Sequence, residues 1–429
     1  MSISTIILAA GYGTRMRSKT PKVLHTISGK PMIIHTIEEA KKISDDITVV
    51  LYFEYQKIQE VIKSYFDDIN FVIQDVQNYP GTGGAIRNIT TKHEDVVILN
   101  GDMPLITSAS LEPILQTKSD IALSVIDAKD PSGYGRVSIE DGSIKRIIEQ
   151  KDCDQKQLQI KTVNAGVYKL TRTVLHEYIP KLSNDNAAKE YYLTDIIEMG
   201  VQNGLDIKPA YVDEQFFKGV NSKYDLAIAE DMMQDRIKKG WMQAGVIMRL
   251  TQTIYIEKDV VFEGECEIEN GVSLRGKTYV ENSHIKANST ITDADIVSSS
   301  IGPLAHIRPN ATIKNSHIGN FVEVKNSQLE GVKAGHLSYL GDSTISSGSN
   351  IGAGVITCNY DGKKKHKTVI GKDVFVGSDT QIVAPVTIED ESIIAAGTTL
   401  TQDVSKGELA ISRTPIKRVK NFFYKFFQK

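Results

Sequence analysis

Glycines and cations lie close together near the start of the sequence, in an arrangement that could bind phosphate. Residues 8–16 read LAAGYGTRM, and Gly11 and Gly13 would let backbone N–H groups approach phosphate oxygens. Arg15 and Lys22 add two cations to the same loop, as a triphosphate would require. The third glycine of a Rossmann motif and the Walker lysine are missing, so a tight strand–helix turn is the alternative for this fragment.

An acidic residue follows another apolar run, at a place where a metal-bound phosphate could lie. Residues 96–99 (VVIL) predict a buried strand, and residues 100–105 (NGDMPL) follow it. Asp102 would then stand at the carboxyl end of a strand beside Gly101, where a carboxylate can hold Mg²⁺ against phosphates. An aspartate that only stabilises a turn is the alternative.

A histidine in the second half of the chain could accept a proton during acyl transfer. His336 lies in residues 333–342 (KAGHLSYLGD), which carry side chains that a structural repeat does not need. A histidine with a near-neutral pKa can take a proton from an amino group as that group attacks a thioester. Arg308 and Lys325 could clamp a sugar phosphate, and the basic residues 363–367 could meet the phosphates of coenzyme A. A structural histidine and a solvated basic loop are the alternatives.

Strands and helices alternate over residues 1 to about 220. The apolar runs predict strands at 6–8, 47–53, 71–73 and 96–99, and helices after Pro31 and over 55–66. This alternation predicts a mainly parallel sheet with helical crossovers, an α/β Rossmann-like domain that binds ligands beyond the carboxyl ends of its strands.

The second half has a different period. Residues 222–245 predict a lone connecting helix. Beyond it, aliphatic or phenylalanine residues recur every five or six positions from 262 to 329, from 340 to 351 and from 370 to 400. Such hexapeptide repeats are typical of a parallel β-helix with three hexapeptides per coil, and residues 357–368 would form a loop that leaves the stack. We therefore predict domains at 1–221 and 246–429, joined by the helix 222–245.

Composition excludes several classes of protein. The net charge is −3, so no basic field favours nucleic acid. Cys153, Cys266 and Cys358 form no CxxC pair, which predicts neither disulfides nor a zinc site and suits a reducing cytosol. We also expect no signal peptide and no transmembrane segment, because no apolar run reaches the roughly 18 residues that a span needs.

The order of the motifs resembles that of sugar-nucleotide pyrophosphorylases. The strings LAAGYGTRM, PKVL, GTGGA and NGDMPL are followed by GYGR at 133–136, IEQK at 148–151, VNAG at 163–166 and GVN at 219–221. Together with the hexapeptide half, the chain resembles, over almost its whole length, the bifunctional N-acetylglucosamine-1-phosphate uridylyltransferases/glucosamine-1-phosphate N-acetyltransferases. In that family the repeats form a left-handed parallel β-helix.

The resemblance implies two sets of site residues. UTP and sugar contacts in the uridylyl site would be Leu8, Ala9, Ala10, Gly11, Arg15, Lys22, Gln74, Gly81, Thr82, Gly101, Asp102, Gly135, Glu149, Asn164 and Asn221, with Asp102 and Asn221 as the metal ligands. In the acetyl site, His336 would be the general base, Arg308, Lys325, Tyr339 and Asn350 would hold the sugar phosphate, and Ala353, Asn359, Tyr360, Ser378, Ala396 and Arg413 would meet acetyl-CoA.

Small departures from the family pattern affect the first set. Asn100 stands where tyrosine is common, and Ala165 stands where threonine is common. The stretch 74–81 is one residue longer, which puts the position of Gln74 in doubt. Cys358 is interpreted as a small packing residue, because acetyl transfer needs no acyl-enzyme.

The family resemblance also implies the reactions. Glucosamine-1-phosphate would be acetylated by acetyl-CoA, and the phosphate of N-acetylglucosamine-1-phosphate would then attack the α-phosphorus of UTP with Mg²⁺ present. Pyrophosphate would leave, and UDP-N-acetylglucosamine would serve peptidoglycan and lipopolysaccharide synthesis. The resemblance also implies a cytoplasmic homotrimer with acetyl sites at subunit boundaries.

Two other hypotheses are compatible with parts of the sequence. One is a nucleotidyltransferase for another sugar or base, whose β-helix is only an oligomerisation scaffold. The other is a non-enzymatic paralogue with inactive sites. A scaffold needs neither His336 nor Lys325, and an inactive paralogue needs neither Lys22 nor Asp102.

The end of the chain forms a separate pattern. Val419, Phe422, Phe423, Phe426 and Phe427 recur at spacings of three and four residues, with basic residues at the edges of this apolar face. We predict an amphipathic helix over residues 418–429 that docks on the trimer. Adsorption to an anionic membrane surface is the alternative.

Overall fold

A computed structural model describes residues 3–148, 150, 153–186 and 188–428. The predicted sugar contact Glu149 lies outside the described residues. The chain divides into two compact units, Met1–Met233 and Gln234–Lys429. The division falls inside a helix, Lys223–Gln243, which occupies the predicted connecting segment. The predicted limits 1–221, 222–245 and 246–429 stay a prediction.

The first unit consists of strands and helices in alternation. Its strands are β1 (Ile3–Ala9), β2 (Thr26–Ile27), β3 (Lys30–Pro31), β4 (Asp46–Leu51), β5 (Asn70–Ile73), β6 (Asp95–Asn100), β7 (Ile121–Asp127), β8 (Arg136–Glu140), β9 (Ser143–Ile148), β10 (Thr162–Thr171) and β11 (Ile207–Tyr211). Its helices are α1 (Met32–Ala40), α2 (Tyr55–Lys63), α3 (Thr82–Ala85), α4 (Glu112–Gln116), α5 (Asp195–Gln202) and α6 (Glu214–Phe217), and α7 (Lys223–Gln243) follows.

The main sheet has the order β11-β7-β10-β6-β1-β4-β5. Only β10 on this path runs antiparallel to its neighbours β6 and β7, so the predicted mainly parallel sheet is confirmed. Because β1 and β6 are parallel neighbours, the loops that follow them lie side by side. This places the glycine loop beside Asp102.

Helices cover the sheet through their apolar faces. Helix α1 begins after Pro31 and buries Ile33, Ile34 and Ile37, as the period of the sequence predicts. Helix α2 ends at Lys63, three residues before the predicted end. The amides of Ser64 and Tyr65 there bond to carbonyls three residues back, which tightens the last turn and ends the α-helix.

The second unit is the predicted β-helix, built from three parallel sheets. One sheet contains β12 (Ile247–Met248), β15 (Glu267–Ile268), β18 (His284–Ile285), β21 (Ser300–Ile301), β24 (His317–Asn320), β27 (Lys333–His336), β30 (Asn350–Ile351), β33 (Phe375–Val376), β36 (Ile393–Ile394) and β38 (Leu409–Ala410). The second contains β13 (Tyr255–Ile256), β16 (Ser273–Arg275), β19 (Thr290–Thr292), β22 (His306–Ile307), β25 (Glu323–Lys325), β28 (Tyr339–Gly341), β31 (Ile356–Cys358), β34 (Gln381–Val383) and β37 (Thr399–Leu400). The third contains β14 (Val261–Glu263), β17 (Tyr279–Glu281), β20 (Ala294–Val297), β23 (Ala311–Lys314), β26 (Gln328–Glu330), β29 (Ser343–Ile345), β32 (Thr368–Ile370) and β35 (Val386–Ile388).

The repeat determines both the core and the corners of this left-handed β-helix. Aliphatic residues of successive coils pair in register, as in Val324 with Leu340, and their side chains are buried. Buried serines at the corners bond to the next coil: Ser283 Oγ accepts from the amide of Ser299 at 2.9 Å, and Ser299 Oγ accepts from Ser316 at 3.0 Å. Small polar residues between the aliphatics thus satisfy buried backbone groups.

Two irregular segments belong to the β-helix unit. The predicted loop is present and spans 359–367, because β31 extends to Cys358 and β32 begins at Thr368. The tail contains a short helix, α8 (Phe422–Phe426), within the predicted 418–429. None of the described helices combines the length and the apolar character that crossing a membrane requires.

Candidate functional sites

A cavity of about 370 Å³ opens at the carboxyl ends of β1 and β6. Among the predicted uridylyl-site residues, those that line it are Leu8, Ala9, Ala10, Gly11, Lys22, Gln74, Gly81, Thr82 and Asp102. Gly13 has a φ of 62°, and a Cβ there would lie 2.7 Å from Cβ of Lys22. Glycine at this position therefore allows the loop to close on Lys22.

Four polar side chains from distant parts of the chain meet at the edge of this cavity. The ammonium of Lys22 contacts the Asp102 carboxylate closely and lies 3.1 Å from Oδ1 of Asn221. Nη2 of Arg15 donates to the same Asn221 oxygen at 2.8 Å. Two cations and two side-chain oxygen groups thus share one location, and such a group could bind a metal and phosphates.

Hydrogen bonds and close packing around this cluster hold Asp102 and Asn221 in place. The amide of Val220 donates to the carbonyl of Asp102 at 2.9 Å, so the two loops are joined. A Cβ on Gly101 would lie 2.6 Å from Cδ1 of Ile33, so a larger residue would require the Ile33 side chain to shift where the loop meets α1. The Asp225 carboxylate accepts from the amides of Asn221 and Ser222, at 3.1 and 2.8 Å.

The cluster could bind a divalent cation together with a bound phosphate group that supplies further oxygens. The Lys22 ammonium already occupies the point at which the Asp102 carboxylate and the Asn221 carbonyl converge, so this oxygen pair can bind a cation. No group of three or more His, Cys, Asp or Glu side chains in the described parts of the chain could hold a metal. A cation at Asp102 and Asn221 would therefore need further oxygens, such as those of phosphates.

Gln74 holds a loop in place, a role that the amino-acid sequence alone does not indicate. Its Nε2 donates to the carbonyls of Tyr79 and Gly81, at 3.0 and 2.9 Å, and so closes the loop between them. Gly81 has a φ of 90°, and a Cβ there would lie 2.6 Å from the carbonyl oxygen of Tyr191. Gln74 still lines the cavity, with its amide nitrogen engaged by the loop.

Gly135 and Asn164 lie in a separate group. The backbone amide of Asn164 donates to the carbonyl of Gly135 at 3.1 Å. The side-chain Nδ2 of Asn164 donates to the Tyr168 hydroxyl, also at 3.1 Å. Neither residue is among the described residues that line the cavity. The structure therefore pairs these two predicted sugar contacts with each other but places them outside the cavity.

Aromatic residues at the cavity were not identified from the sequence. Tyr12, Tyr52 and Tyr192 line it, and Tyr12 is 55% exposed. The Tyr12 ring packs against Tyr52 and Phe53, with centroids 5.7 and 5.5 Å apart. Such rings can stack on a planar base. A tyrosine directly after Gly11 was the available signal in the sequence.

Cations also cluster on the β-helix. Arg308 Nη1 lies 2.7 Å from Oε1 of Glu323. The pKa of Lys325 is lowered by its contact with Lys365 and by the positive charge of Arg308. Three cations that lie close together could bind an anion, although the Glu323 carboxylate pairs with Arg308 and the Asp342 charge favours the charged form of Lys325. The structure thus brings together Arg308, Lys325 and the predicted basic loop.

His336 lies at the end of β27 with its side chain exposed. Strand β27 pairs with one strand on each neighbouring coil: His336 lies beside Asn320 of β24, and Lys333 lies beside Asn350 of β30. Burial, together with positive charge from Lys286, His336 and Lys333, lowers the pKa of His317. His336 therefore stands in a polar sheet face, open to a substrate.

Tyr339 and Asn359 meet beside that face. Asn359 is 7% exposed, and its Nδ2 lies 3.4 Å from the Tyr339 hydroxyl. The same Nδ2 donates to the Asp342 carboxylate. Gly341 makes room for this contact, because a Cβ there would lie 2.6 Å from Cζ of Tyr339 and 2.8 Å from Nδ2 of Asn359. Neither Gly341 nor Asp342 was singled out from the sequence.

Three predicted acetyl-CoA contacts stack at one corner of successive coils. The backbone amide of Asp379 donates to the carbonyl of Ala353, and the backbone amide of Gly397 donates to the carbonyl of Ser378, both at 2.8 Å. A Cβ on Gly377 would collide with the backbone of Ala396. The corner is therefore tightly packed and lined by small residues.

Two further members of this set have exposed side chains. Tyr360 is exposed in the loop and donates to the carbonyl of Gly362 at 2.8 Å, and Arg413 is exposed beyond the last strand.

Burial raises the pKa of the Cys358 thiol, which disfavours the nucleophilic thiolate and agrees with a packing role.

Comparisons with known families define the class of protein. The MobA-like NTP transferase domain matches residues 5–188, and the bacterial transferase hexapeptide (six repeats) matches residues 367–402. The chain is therefore a nucleotidyltransferase domain joined to a hexapeptide-repeat transferase domain.

Full-length relatives specify the family. The bifunctional protein GlmU of a Nitratiruptor species is 63% identical over 429 residues, which cover 100% of both chains. That of a Sulfurovum species is 60% identical over 100% of this chain and 99% of the relative, and that of Campylobacter jejuni (strain RM1221) is 52% identical over 100% of both.

The chain belongs to the GlmU family of bifunctional enzymes, with uridylyltransferase and acetyltransferase activities. This is the family that the sequence motifs predict, and it favours two activities over a β-helix that is only a scaffold.

Proposed function

We propose that the chain acetylates glucosamine-1-phosphate on its β-helix and then joins the product to UMP in its first unit, forming UDP-N-acetylglucosamine. The convergence of Arg15, Lys22, Asp102 and Asn221 at the cavity is the observation that carries the assignment of the first site. The cluster offers both signs of charge, as a metal-bound triphosphate requires.

Uridylyl transfer needs positioning and charge rather than a side-chain nucleophile. The glycine loop would hold the UTP phosphates through backbone N–H groups, and Arg15 and Lys22 would neutralise the charge of the leaving pyrophosphate. On binding, Lys22 would exchange its contact with Asp102 for a phosphate oxygen. The Asp102 carboxylate is then free for Mg²⁺.

Mg²⁺ would polarise the phosphates of UTP when bound. Asp102 and Asn221 would hold it from the protein side, and the remaining ligands would be phosphate oxygens and water. Gly135, Asn164 and Glu149 would contact the sugar phosphate.

Acetyl transfer uses His336 as the general base. His336 would take a proton from the amine of glucosamine-1-phosphate as the nitrogen attacks the thioester carbon of acetyl-CoA. As the carbon–sulfur bond breaks, the protonated imidazole would return that proton to the sulfur, and coenzyme A would leave as the thiol. Arg308, Lys325, Tyr339 and Asn350 would hold the sugar phosphate. The set that would receive acetyl-CoA is Ala353, Asn359, Tyr360, Ser378, Ala396 and Arg413.

The hexapeptide repeats favour an oligomer, and we propose a homotrimer whose acetyl sites lie at subunit boundaries. We place the enzyme in the cytoplasm, where UTP and acetyl-CoA are produced.

The experiment separates the two activities in one protein. Asp102→Ala should abolish uridylyl transfer from UTP to N-acetylglucosamine-1-phosphate and leave acetylation of glucosamine-1-phosphate near normal. His336→Ala should do the reverse, lowering the kcat of acetylation by roughly 10²- to 10⁴-fold, the usual contribution of a general base. Equal loss of both activities in either folded variant would contradict the assignment.

A further inference from the structure

Asp342 lies at a corner of the β-helix, close to several predicted residues of the acetyl site. It follows β28 at a corner, with a φ of 49°, and is half-buried. One carboxylate oxygen accepts from Nδ2 of Asn326, and the other accepts from Nδ2 of Asn359. Its negative charge also favours the charged form of Lys325.

The backbone of the same residue bonds to the preceding coil and to the strand that follows the extruded loop, whereas its carboxylate binds Asn359 at the start of the loop. Its amide donates to the carbonyl of Lys325 at 3.0 Å, and its carbonyl accepts from the amide of Thr368 at 3.2 Å. Asn359 begins the loop, and Thr368 begins the strand that follows it. Asp342 therefore joins the coil that carries the phosphate-binding cations to the loop.

The Asp342 carboxylate determines the orientation of the side-chain amides of Asn326 and Asn359. An ionised carboxylate can only accept hydrogen bonds, whereas each side-chain amide has one donating and one accepting end. Asn326 and Asn359 must therefore both direct their NH₂ groups at Asp342. The carbonyl oxygen of Asn359 then faces away from the carboxylate and can accept from an N–H donor.

We propose that Asp342 is a positioning residue of the acetyl-transfer site, which fixes the Asn359 amide so that its carbonyl oxygen accepts from an amide N–H of acetyl-CoA. The pantetheine arm of coenzyme A carries such amides. This inference rests on the proposed function, in which Asn359 contacts acetyl-CoA.

The substitution Asp342→Asn tests this orientation with almost no change in volume. The new amide can accept from only one of its two neighbours, and its own NH₂ faces the NH₂ of the other. Asn359 must then turn or move. We expect the KM for acetyl-CoA to rise by up to about 10-fold, because the neutral hydrogen bond between the Asn359 carbonyl and the amide N–H of acetyl-CoA would be lost. Uridylyl transfer should be unchanged.

A swapped pair separates orientation from general damage. In Asp342→Asn with Asn359→Asp, Asn326 can donate to the new amide, and the new amide can donate to the new carboxylate. The second oxygen of residue 359 remains an acceptor. We expect the KM for acetyl-CoA to return toward the wild-type value.

Asp293→Asn is the matched control. Asp293 occupies the same corner of an earlier coil with a φ of 46°, and its carboxylate accepts from the backbone amide of Lys277 at 2.8 Å. Its substitution should leave the KM for acetyl-CoA unchanged.

The outcomes distinguish the two proposals. If the wild type does not acetylate glucosamine-1-phosphate, the proposed function fails. If it does, an unchanged KM for acetyl-CoA in folded Asp342→Asn overturns the inference. Should that variant not fold, the folded swapped pair decides: a near-normal KM supports the positioning role, and a KM as high as that of Asn359→Ala refutes it.

Discussion

Adding one methyl group at Gly341 should disable acetyl transfer without unfolding the protein. Gly341 lies in β28 with Tyr339 on the same face, two residues apart. In Gly341→Ala the new Cβ would lie 2.6 Å from Cζ of Tyr339 and 2.8 Å from Nδ2 of Asn359. Carbon atoms in ordinary contact are about 3.5–4.0 Å apart, so the Tyr339 ring must move by about 1 Å.

The size of the effect follows from that displacement. A misplacement of about 1 Å in a positioned group can cost on the order of 10²-fold in rate. Both collisions are with side-chain atoms rather than with backbone, so overpacking should cost only about 1–3 kcal/mol of stability. We therefore expect Gly341→Ala to fold, with a Tm a few degrees lower, and to lose roughly 10²-fold in the kcat/KM of acetylation.

The assay follows coenzyme A thiol release with glucosamine-1-phosphate, and pyrophosphate release from UTP in the same preparation. Gly240→Ala is the control, because Gly240 is an exposed helix residue whose added Cβ meets nothing within 4 Å. It should keep both activities. Acetylation within roughly 2- to 3-fold of wild type in folded Gly341→Ala, about 0.5 kcal/mol in activation free energy, would refute the idea that Tyr339 and Asn359 must be placed accurately.

Three other perturbations have defined outcomes. Burial raises the pKa of Asp225, but hydrogen bonds from Ser222 and Asn221 outweigh it and leave the pKa below its ordinary value. The wild type should therefore be more stable to urea than Asp225→Asn at pH 7, and the gap should shrink as the pH falls below about 3.9 and through the lowered pKa; a gap that widens in acid would contradict this. Removing Mg²⁺ with EDTA should stop uridylyl transfer and spare acetylation, and loss of both would place a metal in both sites. Deleting residues 418–429 should lower the Tm or raise the KM for acetyl-CoA, because the tail aromatics, exposed in the single chain, would dock on a neighbouring copy. Flotation of the intact protein with anionic liposomes, with neither change, would instead assign the tail to a membrane surface.

The residue pattern alone predicts the two architectures and the type of chemistry in each. Aliphatic residues every five or six positions cannot face one core in a helix or a flat strand over so many turns, so the β-helix could be predicted from the period alone. The apolar runs of the first half and the glycines after β1 likewise predicted a parallel sheet with a phosphate loop. Both signals are local, because they depend on neighbours a few residues apart.

The contacts between side chains, in contrast, follow from the folded arrangement of the strands. Lys22 reaches Asp102 and Asn221 because β1 and β6 are adjacent and parallel, and no spacing along the chain encodes that adjacency. Asp342 and Asn359 are joined by the stacking of coils around an extruded loop. Gly341 matters only through the space it leaves, which depends on two side chains brought there by that stacking. Such contacts depend on strand order and register, since one shifted coil would replace every partner.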